Sequence, residues 1–317
     1  MKRIIGIGLL VCCFCVIRAQ EVLILPYEAT ELSESQMGMN PERLAYPTEL
    51  KETIKSQVSF ECNTEILDLG PFSVSEKKTV FFSPGNLQYQ PSTKTWRFAE
   101  HQWEVIGEGN NLNIPIPSAS WIDLFGWGTG NNPTLSSTDV NDFSTFTDWG
   151  VNAISNGGNE ANMWRTLTKD EWEYLIHGRK NAEKLFGLGT VHGLQGTILL
   201  PDDWATPSGV TFTPSTERGL VWEGSYYGNS KNDNYSHNSY MASEWDKMES
   251  AGAVFLPAAG FRDCGGSVDY VDYVGSGGYY WSSTPFMHGT WNLDFHSGGV
   301  LMINSSRCYG YSVRLVR

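Results

Sequence analysis

Residues 278–299 read GYYWSSTPFMHGTWNLDFHSGG, and the way this stretch alternates decides the fold. Successive side chains of a strand point to opposite faces. Over TWNLDF that rule sets Trp291, Leu293 and Phe295 on one face, with Asn292 and Asp294 on the other. The runs VLMIN and YSVRLVR that follow read as further paired strands. The same stretch also gathers six aromatics, two histidines and an aspartate, so aromatic core, ligand face and catalytic pocket all compete for it.

Working outward, KKTVFF is rich in β-branched and aromatic residues and SPGN breaks it, which marks a strand and a turn. TKTWRFAEHQWEVIG reads as a hairpin. Residues 107–163 form a long Gly/Asn/Ser/Thr/Asp-rich insertion, with Trp121, Phe125, Trp127, Phe143, Phe146 and Trp149 placed to pin it to the core. So long an irregular stretch is uncommon in a compact domain unless it has a function. Two short helices are legible. In WRTLTKDEWEYLIHGR, Thr168 and Glu171 make a capping box, and Trp172, Leu175 and Ile176 give the buried stripe. In ASEWDKMESAG, Ser243 is the expected cap, Trp245 and Met248 face inward, and Gly252 stops the helix. TILLPDDW and AVFLPAAGFRD are apolar strands halted by proline, and Asp202–Asp203 reads as a turn.

Composition narrows the class. Charged residues are 18% of the chain, below the usual share of about 25%, while 33 glycines and 13% aromatics mark an ordered, loop-rich, strand-containing domain. The formal net charge of −13, with no basic run, argues against nucleic acid as a partner. The start, MKRIIGIGLLVCCFCVIRAQ, has a basic pair, an apolar run and a small residue near a cut, the layout of a secretory signal over 1–20. Cys12, Cys13 and Cys15 raise a lipoprotein alternative, although Val11, Cys12 and Phe14 are poor company for a lipidated cysteine. Nothing downstream reaches the roughly 18 apolar residues of a membrane span. Residues 21–70 read as an acidic linker and 71–317 as the domain. The expected location is therefore the periplasm, the cell surface or the medium, with a lipid or surface tether as an option.

Cys62, Cys264 and Cys308 remain after the leader. Export permits disulfides, and an odd count leaves one thiol over. Cys264 and Cys308, both among turn residues of the C-terminal half, are the candidate pair. Three buried or half-buried thiols are the alternative.

Taken together, WRTLTKDEWEYL, ILLPDDW, FLPAAGFRD, GGYYWSST and YGYSVRLVR resemble C-type-lectin-fold secreted proteins of Bacteroides-type bacteria. These are similar to the major-paralogous-domain and DUF1566 families and to the variable proteins diversified by retroelements. The resemblance covers about residues 71–317. It implies an α+β, C-type-lectin-like domain in which a helix carrying Trp172 packs on a twisted antiparallel sheet, with long loops. It further implies that Trp281, Leu293, Phe295, Gly310, Val313 and Leu315 are scaffold. Phe286, Met287, His288, Thr290, Asn292, His296, Met302, Asn304, Ser305 and Tyr309 would then form an exposed, ligand-facing set. Cysteines at 264 and 308 are unexpected in that pattern, and their joint presence favours a local disulfide.

Formylglycine-generating enzymes share that fold and hold Cu(I) with paired cysteines, for which soft thiolates are suited. Here only Cys264 and Cys308 could serve, and neither stands in the context such enzymes show. Asp170, Glu171 and Glu173 fit helix-terminus charge better than acid–base work, and His288 with His296 is a weak metal pair. The stretch WNLD approximates a calcium-binding lectin sequence with one residue too many, and fold alone does not establish sugar binding. The expectation is a non-enzymatic binding protein without cofactor, for a protein or carbohydrate ligand. A formylglycine-generating-type enzyme and a structural subunit of a surface appendage are the alternatives.

Overall fold

Strands outweigh helices from the first described residue to the last. The computed structural model describes residues 69–112, 114, 119–215, 235–265, 270–297 and 299–317. The stretch 1–20 read as a secretory signal, Cys62 and nearly all of the expected acidic linker lie outside them. The first strand begins at Leu69, two residues inside the segment read as linker.

The opening hairpin pairs β1 (Leu69–Ser75) with β2 (Lys78–Phe82), the KKTVFF strand. The C-terminal β15 (Leu315–Val316) joins β2 and β5 (Arg165–Thr166), giving a four-stranded sheet in the order β1-β2-β15-β5. β3 (Leu87–Gln90) and β4 (Thr95–Phe98) form a separate ribbon. A second four-stranded sheet runs β8-β6-β7-β9, from Ser239–Tyr240, Phe186–Val191, Leu194–Leu199 and Val254–Pro257. Its β6–β8 pair is parallel and its other pairs are antiparallel. β10 (Phe261–Arg262) pairs with β11 (Val271–Asp272), and β12 (Gly278–Phe286), β13 (Gly289–His296) and β14 (Gly299–Ser306) make a three-stranded meander. The architecture is α+β, with the sheet divided into several small pieces rather than one twisted layer.

Among the described residues helix comes in short pieces, including α1 (Glu108–Asn111), α2 (Lys169–Glu173), α3 (Ala242–Ser250) and a few 3-10 turns. Thr168 caps α2 through its hydroxyl, which accepts from the Glu171 amide at 3.2 Å, while Glu171 Oε2 accepts from the Thr168 amide at 3.0 Å. The chain continues as a wider π turn through Tyr174–Gly178, which brings Leu175 and Ile176 into the core beside fully buried Trp172. Glu171 also receives both terminal nitrogens of Arg165 at 2.6 and 2.9 Å and Lys78 Nζ at 2.9 Å. Burial pushes its carboxyl up, but the Arg165 and Lys78 hydrogen bonds outweigh this and the net shift is downward. Glu171→Gln keeps the shape and loses the charge, so stability should fall by about 1–2 kcal/mol in thermal unfolding at pH 7. An unchanged midpoint would mean that the helix start does not depend on this carboxylate.

At α3 the expected Ser243 cap gives way. Met241 occupies the cap position and Glu244 Oε2 accepts from the Met241 amide at 3.0 Å, which leaves Ser243 inside the first turn. Trp245 and Met248 are fully buried, and Gly252 ends the helix with a φ of 89°.

Two cores meet at β12. Tyr280 faces one, with Leu293, Phe295, Trp172 and Phe82; Trp281 faces the other, with Phe125, Trp127, Trp149 and Tyr311. Trp281 Nε1 donates to the Phe125 carbonyl at 2.6 Å and Trp127 Nε1 to the Ser282 carbonyl at 2.9 Å, so the insertion aromatics bind directly to the WSS segment. Phe143 and Trp149 are buried as well, while Trp121 and Phe146 stay half-buried. The described residues all belong to one compact unit, Ile66–Arg317. Among the described residues no helix is long and apolar enough to cross a membrane.

Candidate functional site

Two chain segments are stitched together beside β12. One is β10 with the following Asp263 and Cys264; the other runs from Cys308 to Val313. The backbone of Arg262 and Gly310 exchanges two hydrogen bonds of 2.9 Å, and Cys264 and Cys308 form a disulfide with a Cα separation of 5.8 Å. Gly310 is required for that approach, because a Cβ there would lie 2.9 Å from Arg262 Cβ and 3.0 Å from its Nε. On the far side of β10, Gly260 has a φ of 70°, and a Cβ there would run into the Asp272 carbonyl. Both cysteines are buried against Phe143, with Leu135, Val140 and Tyr309 alongside.

What these segments carry is aromatic. The Phe261 ring lies 5.0 Å from Tyr279, 5.5 Å from Tyr309 and 6.1 Å from Tyr311. It also stacks on Tyr273 at 6.0 Å with planes 19° apart. Tyr311 in turn lies 5.2 Å from Tyr279, 5.8 Å from Tyr309 and 4.2 Å from Trp281. Exposure rises outward along this ledge. Trp281 and Tyr311 are buried, Phe261, Tyr279 and Tyr309 are half-buried, and Tyr273 is 51% exposed. Such spacings favour ring contact, and each ring combines an apolar face with a polar rim.

Carboxylates surround the rings. Asp263 holds the Tyr270 phenol up, with Asp272 and Tyr309 contributing in the same sense, so these four groups share one electrostatic neighbourhood. Asp294 sits opposite Tyr279 in the β12–β13 register and is 6% exposed. Burial raises its carboxyl to about 7, and its Oδ1 has no hydrogen-bond partner. Burial pushes the Tyr311 phenol up against the Ser305 hydrogen bond, with Asp294, Tyr279 and Tyr309 adding to the rise. Burial lowers His296.

The expected ligand-facing set is divided. Phe286, Met287 and His288 make the exposed β12–β13 turn, where Met287 is 82% exposed with a φ of 44°. Arg307 braces this turn by donating to the Gly289 and Met287 carbonyls at 2.9 and 3.2 Å. Asn304 is exposed, and His296, Ser305 and Tyr309 are half-buried. Thr290, Asn292 and Met302 are not display residues: the first two are fully buried and Met302 is 8% exposed. Alternation correctly separates Asn292 and Asp294 from Leu293 and Phe295, but the meander is covered on both faces. Thr290 Oγ1 donates to the Thr284 carbonyl at 2.7 Å, and Met302 packs into the same core as Leu293. Of the expected set only Tyr309 belongs to the ledge. Phe261, Tyr270, Tyr273 and Tyr279 were missed. Their signal was the aromatic density of DYVDYVGSGGYY directly downstream of FRDC.

Cys264 and Cys308, bonded to each other, offer no thiolate pair for Cu(I). Among the described residues no three His, Cys, Asp or Glu side chains are grouped to hold a metal ion. Asp202 accepts from Arg179 Nη1 at 3.0 Å and from the Ser73 amide at 2.8 Å, which makes it structural.

A domain of unknown function, DUF8237, matches residues 223–316. That span holds the whole ledge, the disulfide and the meander, and it covers less than half of the chain. No curated protein matches the chain, and no solved structure does.

Proposed function

We propose that this chain is an exported, non-enzymatic binding protein that holds a protein or glycan ligand on the face built by β10–β14 and residues 308–313. The observation that carries this reading is the tyrosine ledge: solvent-facing rings of graded exposure on a framework pinned by a buried disulfide. Exposed aromatic patches on a rigid support are what recognition surfaces use, because little conformational freedom is lost when a ligand covers them. A disulfide also suits an oxidising compartment, in keeping with the secretory leader. The finer fold proposed is C-type-lectin-like. It is supported by the capped α2 packing near the meander and by the N-terminal hairpin pairing with the C-terminal strand.

The test compares wild type with a Tyr273→Ala/Tyr309→Ala variant in glycan-array binding and in capture of labelled surface proteins. The variant should lose at least ten-fold in signal, since interface aromatics carry a disproportionate share of affinity. Equal capture by both proteins, with unfolding midpoints matched, would remove the ledge as the binding site.

A further inference from the structure

The ledge is acidic as well as aromatic, and this selects among ligands. Asp263 and Asp272 share an electrostatic neighbourhood with Tyr270 and Tyr309, and Asp294 shares one with Tyr279, Tyr309 and Tyr311. Phe261 and Asp272 are directly opposite each other in the β10–β11 pair, so ring and carboxylate are presented side by side. Arg262, next to Phe261 in β10, is fully buried and its Nη1 donates to Ser136 Oγ at 3.2 Å. Arg307 lies over Trp127 and braces the β12–β13 turn. The independent pointer is Asp294, more than nine-tenths buried, set across from Tyr279, with Oδ1 lacking any hydrogen-bond partner.

Resting on the binding reading above, we infer that the ledge of Phe261, Tyr273, Tyr279 and Tyr309 receives a lysine or arginine side chain of a partner protein. Ring faces carry negative potential and attract a cation placed over them. The carboxylates of Asp263 and Asp272 add to that attraction, and the net charge of −13 gives it long range. A neutral sugar would use the ring faces and make no use of the charge on Asp263 and Asp272. An acidic peptide would be repelled by them.

The probes are three extended peptides of equal length, alternating alanine with lysine, glutamine or glutamate. Tetramethylammonium and a neutral pyranose oligosaccharide complete the set. Each is titrated into the purified protein while tyrosine fluorescence and heat are followed. The lysine peptide should bind and the glutamine and glutamate peptides should not. Tyr273→Leu, which keeps apolar area and removes the ring, should weaken lysine-peptide binding about ten-fold. Asp263→Asn/Asp272→Asn should weaken it as well and flatten its salt dependence. Equal binding of the glutamine peptide overturns the inference, as does lysine-peptide binding indifferent to Tyr273→Leu. Tetramethylammonium binding at the ledge without the lysine peptide would move the ligand class to small ammonium compounds and overturn the partner-protein assignment. If only the oligosaccharide binds, the inference falls while the binding reading stands. If nothing binds and wild type also captures nothing in the array and surface-protein experiment, both fall.

Discussion

Cys264→Ala/Cys308→Ala should lower the stability of the domain by about 4 kcal/mol, by the loop-closure entropy of the bond it removes. The two cysteines are 44 residues apart in sequence and enclose β11 and the entire β12–β13–β14 meander. Without the bond, the unfolded chain regains the freedom of a long loop, and the native state loses the staple between β10 and residues 308–313. Alanine is the better replacement because the site is apolar, walled by Phe143, Leu135 and Val140, where a serine hydroxyl would need a partner. For a domain of this size the loss corresponds to roughly 10 °C in the unfolding midpoint. Calorimetry of the oxidised, reduced and double-alanine proteins checks it. Reduced and variant protein should agree with each other and fall below the oxidised form. A midpoint unaffected by reduction would show that the framework of the ledge is held by packing and by the Arg262–Gly310 backbone pair alone.

What could be read from the sequence, and what could not, divides along physical lines. Local rules did well. The Thr168–Glu171 capping box, the Gly252 stop and the strand alternation of TWNLDF need only neighbours a few residues away, and each is present in the structure. Burial in the second layer did not follow from those rules. Asn292 looks like a display residue because a polar side chain on an alternating strand ordinarily faces water. It lies opposite Trp281 on β12, whose face is covered by Phe125, Trp127 and Trp149 of the insertion and by Tyr311. Met302 fails the same way from the opposite side. The ledge was hidden for a related reason. Phe261, Tyr273, Tyr279 and Tyr309 are spread over residues 261–309, and long-range contacts such as the Arg262–Gly310 pairing, the Ser312–Tyr279 backbone hydrogen bond and the disulfide bring them together. A lone tyrosine in a loop gives no hint of that convergence.

Asp294 should make the protein less stable as pH rises from about 4 to about 7, and Asp294→Asn should abolish that loss. Burial raises its carboxyl from the ordinary 3.8 to about 7, so the folded state holds a proton that the unfolded chain has already released. Stability rises with pH only where the unfolded state binds more protons; here the folded state binds more, so the sign is reversed. The contribution is complete below about pH 4, declines across the window between the two values, and levels off above about pH 7. Three pH units at about 1.4 kcal/mol each put the full effect near 4 kcal/mol. Asp123, fully buried and raised to about 6 chiefly by desolvation, pulls in the same direction and must not be confused with it. Its share persists in the Asp294→Asn protein, so the difference between wild type and variant isolates Asp294. Denaturant unfolding at pH 5, 6, 7 and 8 should show the variant gaining on wild type by about 1 kcal/mol per unit up to pH 7 and holding constant beyond. A difference that stays flat from pH 5 to 8 would place the charged carboxylate in a solvated or paired setting. In that case Asp294 would not be the enclosed, unpartnered group opposite Tyr279 that this prediction and the cation-binding ledge both use.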